Sequence, residues 1–143
     1  MTEIFDVAVV GAGNAALAAA IAAAEAGRRV VLIERAPMEE SGGNSRYAAG
    51  AFRFTYAGAQ DIRELVPDLT DDELARTDFA SYSAQRYFDD LYRVTRYRCD
   101  PDLAEVLVQR SHDTMRWLAR HGVKFVPIWG RSAVKRDGRF FFS

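Results

Sequence analysis

Residues Phe5-Asp6-Val7-Ala8-Val9-Val10 form a largely apolar stretch that runs straight into Gly11-Ala12-Gly13-Asn14-Ala15-Ala16 and from there into an alanine-rich segment. A strand that turns on a Gly-x-Gly-x-x-Ala string and at once opens a helix is the first half of a β-α-β crossover. Gly11 lets the chain bend tightly, Gly13 removes a side chain that would block a dinucleotide pyrophosphate, and small Ala16 lets the helix lie close to the strand. Backbone N–H groups at the helix start, at the positive end of its dipole, face such an anion.

The second half of the unit is Arg29-Val30-Val31-Leu32-Ile33, an apolar strand ending in Glu34. An acid about twenty positions beyond the glycines stands where a carboxylate accepts hydrogen bonds from ribose hydroxyls. Arg35 follows and flanks the same place. A 2′-phosphate would meet repulsion from Glu34 at close range, which argues against NADP. The competing reading is an ordinary strand-turn-helix with an exposed acid at its end.

A chain of 143 residues with 49% hydrophobic content is long enough for one core, so one domain is expected. The formal net charge is -1 and the basic residues are scattered, which leaves no electrostatic footprint for nucleic acid or an acidic membrane. The single cysteine, Cys99, cannot close an internal disulfide and suits a reducing compartment. No signal-like leader precedes the first strand, and the apolar run from Ala15 to Ala24 is too short to span a bilayer. A soluble, cytoplasmic protein is expected, with no direct membrane insertion.

The first helix should run from about Asn14 to Ala26 and stop at Gly27. Ser41 to Arg46 begins as a loop, and Tyr47 to Phe52 continues as a short apolar element. Thr70-Asp71-Asp72-Glu73 has the form of a capping box and predicts a helix to about Val94. Asp100-Pro101 supplies an N-cap and a first-turn proline, with Leu103, Val106, Leu107, Met115 and Leu118 as one buried face before Gly122. Val123 to Val126 and Phe140 to Phe142 read as short strands. The fold class expected is α/β, a Rossmann-like FAD/NAD(P)-binding fold with an incomplete parallel sheet and flanking helices, because no convincing third central strand is supplied. Residues 1–143 then read as an N-terminal piece of a larger protein, which the resemblance given below makes part of an FAD-binding domain.

In Ser41-Gly42-Gly43-Asn44-Ser45-Arg46, adjacent glycines let backbone pass close to something flat or anionic while Asn44, Ser45 and Arg46 offer donors. A plain surface turn is the alternative. His112 and His121 lie in the second long helix without an acidic partner that spacing can place, so no catalytic residue is assigned. Trp117, Trp129 and Phe140 to Phe142 read as core, and Asp71-Asp72-Glu73 as a charged helix start rather than a metal site.

Following the first glycine turn and Glu34, the run Gly42-Gly43-Asn44-Ser45-Arg46-Tyr47-Ala48-Ala49-Gly50 resembles the flavoprotein subunit family of fumarate reductase and succinate dehydrogenase. Within that family the chain looks most like tricarballylate dehydrogenases and the related flavoprotein half of precorrin-3B synthase. The likeness rests on Val9 to Leu17, Gly42 to Arg46 and Trp117 to Phe125. It implies FAD, with Gly11, Ala12, Gly13, Asn14, Ala15 and Ala16 at the pyrophosphate, Glu34 on the adenosine ribose, Gly42, Gly43, Asn44 and Ser45 along the diphosphate and inner flavin, and Gly50 and Ala51 near the ring. No histidine lies between Glu34 and Gly50, so noncovalent FAD is implied. The family's substrate arginines and histidines lie downstream of the segment this chain matches; Arg46 and Arg53 are the nearby cations that could touch a substrate carboxylate, with a solvated loop arginine the favoured reading of each. The resemblance implies a parent enzyme that removes hydrogen from a carbon pair flanked by carboxylates of a di- or tricarboxylate, first tricarballylate to cis-aconitate, and passes electrons to a partner. This chain alone is expected to be inactive and to bind FAD weakly. An NAD-dependent dehydrogenase and a non-catalytic nucleotide-binding fragment are the alternatives.

Overall fold

The computed structural model describes residues 3–142. Where chain length pointed to one domain, the backbone separates into two compact units that meet in sequence at Phe52 and Arg53.

The first unit is the crossover. Strand β1 (Val7–Val10), helix α1 (Asn14–Glu25) and strand β2 (Val30–Ile33) follow in order, and the strands pair in parallel with Val7 opposite Val30 and Val10 opposite Ile33. The entry is pinned by Asp6, whose carboxylate accepts the Arg29 N–H at 2.8 Å while its own N–H donates to the Arg29 carbonyl. Helix α1 ends where Gly27 adopts φ 75° and donates to the Ala24 carbonyl, a left-handed stop. Two 3-10 turns follow β2, at Met38–Glu40 and Gly43–Tyr47. The second replaces the loop and short apolar element expected there, and the chain then bends through Ala49 and Gly50, both with positive φ. No described residue of this unit is buried, since one helix on a two-stranded ribbon covers only part of each element.

The second unit carries the core. It contains α2 (Ala59–Leu65), α3 (Asp71–Ala75), β3 (Thr77–Asp78), α4 (Ala84–Thr95), α5 (Pro101–Arg120), α6 (Trp129–Ser132), β4 (Ala133–Arg136) and β5 (Arg139–Phe142). Strand β5 is central, parallel to β3 and antiparallel to β4. The β4–β5 hairpin turns on Asp137 and Gly138, both left-handed at φ 48° and 79°, as a two-residue Asp-Gly loop requires. One cluster gathers Leu65, Val66, Leu69, Phe79 and Met115. A second gathers Tyr82, Tyr87 and Val108 between α4 and α5.

Three expectations need correction. The Thr70 capping box forms as predicted, but its helix stops at Ala75 instead of running to Val94. The Arg76 carbonyl accepts the Phe140 N–H, the Thr77 hydroxyl donates back to the Glu73 carbonyl at 2.6 Å, and the chain becomes strand β3 before Ser83 caps α4. In α5, Met115 is buried and Leu118 packs against the first cluster as expected, but Leu103, Val106 and Leu107 are exposed and Ala104, Val108 and Ser111 are buried in their place. In the first half of α5 the buried stripe lies one position on, about 100° around the helix, and its small residues suit close packing against α4. Val123 to Val126 forms no strand, although Phe125 packs against the first cluster.

Candidate functional site

The site is built at the head of α1, where the carboxyl ends of β1 and β2 lie side by side. Gly11 takes φ 107°, a region open to glycine, and its N–H donates to the Ile33 carbonyl at 2.7 Å. This bond carries the parallel ladder into the turn and brings Glu34 level with the helix start. The Glu34 carboxylate accepts the Ala12 N–H at 2.8 Å and, through its other oxygen, the Ala36 N–H at 2.9 Å. The Ala36 N–H is the main influence holding its carboxyl below the ordinary value; burial opposes it, and the N–H groups of Ala12, Arg35 and Gly42 reinforce it. Glu34 is therefore an ionised acceptor at neutral pH, and each oxygen keeps a further lone pair.

Gly42, at φ 104°, turns the chain back toward the same place. Gly43 opens the 3-10 turn that presents Ser45, whose Oγ accepts the Asn14 N–H at 2.9 Å. That hydroxyl keeps its own proton to donate, so the first donor of the helix is relayed rather than lost. Gly13 is the N-cap of α1 with φ -74° and ψ 172°, and it has no side chain of its own to cap the helix. A Cβ built there would lie 3.4 Å from both the Gly42 carbonyl oxygen and Ser45 Oγ. The space between the two glycine turns is thus one that any side chain at 13 would enter. Ala15 and Ala16, at the second and third positions of the helix, direct their N–H groups forward from its first turn.

The residues singled out from sequence meet as follows. Gly11 to Ala16, Glu34, Gly42 and Ser45 converge, with Gly43 forming the turn. Arg35 and Asn44 border it and are exposed, and Gly50 and Ala51 lie exposed beyond the 3-10 turn, with no hydrogen bond among the described residues joining them to it. Ser45 as a bridge to the first turn was not foreseen, because nothing in a Gly-Gly-Asn-Ser spacing says which backbone its hydroxyl will meet. In the second unit, His121 caps α5 with Nδ1 2.8 Å from the Trp117 carbonyl oxygen. His112 sets its ring edge-on to Phe54 and has Nε2 buried without a hydrogen-bond partner. Arg53 is an exposed loop residue as expected, and it also donates to the Tyr82 hydroxyl at 2.6 Å and to Asp90 at 2.9 Å.

A parallel crossover with a glycine turn, a ribose-height acid and a second glycine turn folded onto the first defines the nucleotide-cradling class of α/β protein. The family model described as FAD binding domain matches residues 6–141, and the chain belongs to that family, as it occurs in fumarate reductase and succinate dehydrogenase flavoproteins. It is 32% identical over 139 residues to a fumarate reductase (cytochrome) of Shewanella frigidimarina, covering 96% of this chain and 21% of that protein. It is also 32% identical over 125 residues to a urocanate reductase of Eggerthella lenta, covering 85% and 17%. A vinyl phenol reductase of Lactiplantibacillus plantarum is 29% identical over 138 residues, covering 92% and 23%. The chain spans about a fifth of the length of the curated relatives it matches. Among the described residues, no helix is long and apolar enough to cross a membrane.

Proposed function

We propose that the first unit holds the ADP half of FAD for a fumarate reductase-type oxidoreductase. The observation that carries this reading is the seating of the Glu34 carboxylate on the Ala12 N–H at 2.8 Å, in the same cradle that Ser45 closes on Asn14. The N–H groups of Gly13, Ala15 and Ala16 and the Ser45 hydroxyl bind the pyrophosphate, with Gly11 and Ala12 forming the floor. Glu34 accepts the adenosine ribose hydroxyls on its remaining lone pairs, and Arg35 flanks the sugar. Gly42, Gly43 and Asn44 line the diphosphate and inner flavin, and Gly50 and Ala51 stand toward the ring. The lack of a histidine between Glu34 and Gly50 makes attachment noncovalent.

When bound, FAD supplies hydride exchange with a carbon centre of the substrate; the chain's own residues bind and orient it. The parent reaction in this reading joins or breaks a double bond between carbons flanked by carboxylates. Tricarballylate and cis-aconitate are the first pair to try. Relatives named for reduction of fumarate and urocanate support the bond type and favour testing both directions. An electron-transfer partner and a cytoplasmic location complete the proposal, and residues 1–143 are the opening part of the FAD domain.

The test is a titration of the purified chain with FAD, followed by flavin fluorescence and visible absorbance. FAD should bind weakly and be displaced by ADP, because the chain supplies ADP-side contacts. Failure of both FAD and ADP to bind would refute the reading, and so would binding of NAD in clear preference to FAD. Tight, stoichiometric flavin that ADP does not displace would refute the restriction to the ADP half.

A further inference from the structure

The second unit gathers three guanidinium groups at one place that the flavin reading does not use. Arg53 Nη1 donates to both the Tyr82 hydroxyl and Asp90 Oδ2, and Arg93 Nη2 donates to Asp90 Oδ1 at 2.9 Å. Tyr82 in turn donates to Asp90 at 2.8 Å. The guanidinium of Arg53 lies 5.2 Å from the centroid of the Tyr82 ring and that of Arg86 lies 5.6 Å from it. Three guanidinium groups thus surround one buried phenol and a single carboxylate. Of the neighbouring acids, Asp89 accepts from Gln85 and Asp78 from the Ala80 N–H, so both stay charged but neither pairs with a guanidinium among the described residues.

Arg86 sits in the first turn of α4, as the third residue after the Ser83 cap, where the helix dipole already presents its positive end and a cation is disfavoured. It has no carboxylate partner among the described residues. Arg53 and Arg93 each commit only one terminal nitrogen to Asp90, leaving outward donors of a rigid fork that matches oxyanions bidentately. The side chains of Arg53 and Arg93 are 59% and 72% exposed, so a solute reaches them. Asp90 displays the chemistry this cluster accepts: a carboxylate held between two guanidiniums and a phenol, with its carboxyl drawn down to about 2.

We propose that Arg53, Arg86 and Arg93, gathered around Tyr82 and Asp90, form a binding site for a small polyvalent oxyanion. Arg86 supplies a guanidinium that pairs with no carboxylate among the described residues, and the uncommitted nitrogens of Arg53 and Arg93 complete the seat. Carboxylate and phosphate share the required chemistry. The proposal is independent of the flavin reading, and it concerns a site within the second unit alone.

Calorimetric titration of the full chain at low ionic strength, with citrate in one arm and inorganic phosphate in the other, tests it. The Gly13→Ser chain is titrated alongside, so that phosphate captured by the glycine cradle is recognised; binding at the arginine cluster should persist unchanged there. Arg86→Ala and Arg93→Ala should each weaken binding by about tenfold or more, as loss of a charge-assisted contact implies, while Arg131→Ala leaves it unchanged. Circular dichroism checks each variant's fold, and either arginine variant suffices if the other fails to fold. Citrate alone assigns the site to polycarboxylates, phosphate alone to phosphoryl groups, and both to oxyanions in general. Absence of binding in both arms would overturn the proposal, as would affinity undiminished in Arg86→Ala and Arg93→Ala.

Discussion

Replacing Gly13 with serine separates the binding role of this glycine from any structural one. Its backbone, at φ -74° and ψ 172°, is extended and open to any L residue, so no conformational penalty attaches to a side chain. Serine is also a favoured N-cap where glycine is merely tolerated, worth a few tenths of a kcal/mol, roughly, to α1. The added Cβ would come to 3.4 Å from the Gly42 carbonyl oxygen and from Ser45 Oγ, which is contact without collision. The new hydroxyl, as a cap, accepts the N–H of Ala15 or Ala16, the same donors assigned to the pyrophosphate. Removing one charge-assisted hydrogen bond costs about 1.5–3 kcal/mol, which is roughly a 10- to 150-fold loss of affinity. The measurement pairs FAD and ADP titrations with thermal melting followed by circular dichroism. Nucleotide affinity should fall by at least about tenfold while the melting temperature holds within about 2 °C. Unchanged affinity in a folded Gly13→Ser chain would refute the placement of the phosphates between the two glycine turns.

Glu34→Gln should weaken ADP binding, since the amide trades an acceptor oxygen for a donor that meets the Ala12 or Ala36 N–H; a fluorescence displacement assay reads the change. Because the folded-state value of Glu34 lies below its ordinary one, its contribution to stability is fully present above the ordinary carboxylate value and is lost as pH falls through the lowered one. The same sign governs Asp90, held at about 2 against an ordinary 3.8. Acid titration followed by circular dichroism should therefore show Asp90→Asn less stable than the parent at neutral pH, with the gap closing as pH falls from about 4 toward 2. Met115→Ala, at a buried position, should cost about 2–5 kcal/mol, whereas Leu103→Ala should stay within about 0.5 kcal/mol. Urea unfolding distinguishes the two, and equal losses would contradict the assigned face of α5.

The crossover was legible because its information is local. Strand, glycine turn, alanine helix, second strand and Glu34 occupy consecutive positions, and the parallel register Val7 to Val30 follows from the connection itself. The Gly42-Gly43 turn was legible as a turn, but its closure on Asn14 through Ser45 depends on where the chain returns. In the second unit the caps at Thr70 and Asp100 were readable, since a cap is a short-range pattern. The end of α3 was not, because the Phe140 N–H that claims the Arg76 carbonyl comes from far along the chain. The face of α5 was read correctly at Met115 and Leu118 but misjudged in its first half, because bulk was taken as the mark of burial, while Ala104 and Ser111 are buried and Leu103 is 69% exposed. Arg53, Tyr82 and Asp90 share no spacing that predicts their meeting; only the packing of Tyr82 and Tyr87 against Val108 assembles them.

The pairing of Thr77 with Phe140 bears on how the second unit acquires its fold. Helices α4 and α5 are neighbours in sequence, joined by a short turn through left-handed Arg96 and Tyr97, with Tyr97 stacked on Tyr92. Such contacts demand little loop-closure entropy and form early. The parallel β3–β5 ladder instead closes a loop containing that whole helical hairpin, so its chain entropy is surrendered before any ladder bond repays it. Pulsed hydrogen exchange during refolding should accordingly protect amides of α4 and α5 ahead of the Phe140 amide, making the sheet the last and most easily reopened part of the unit.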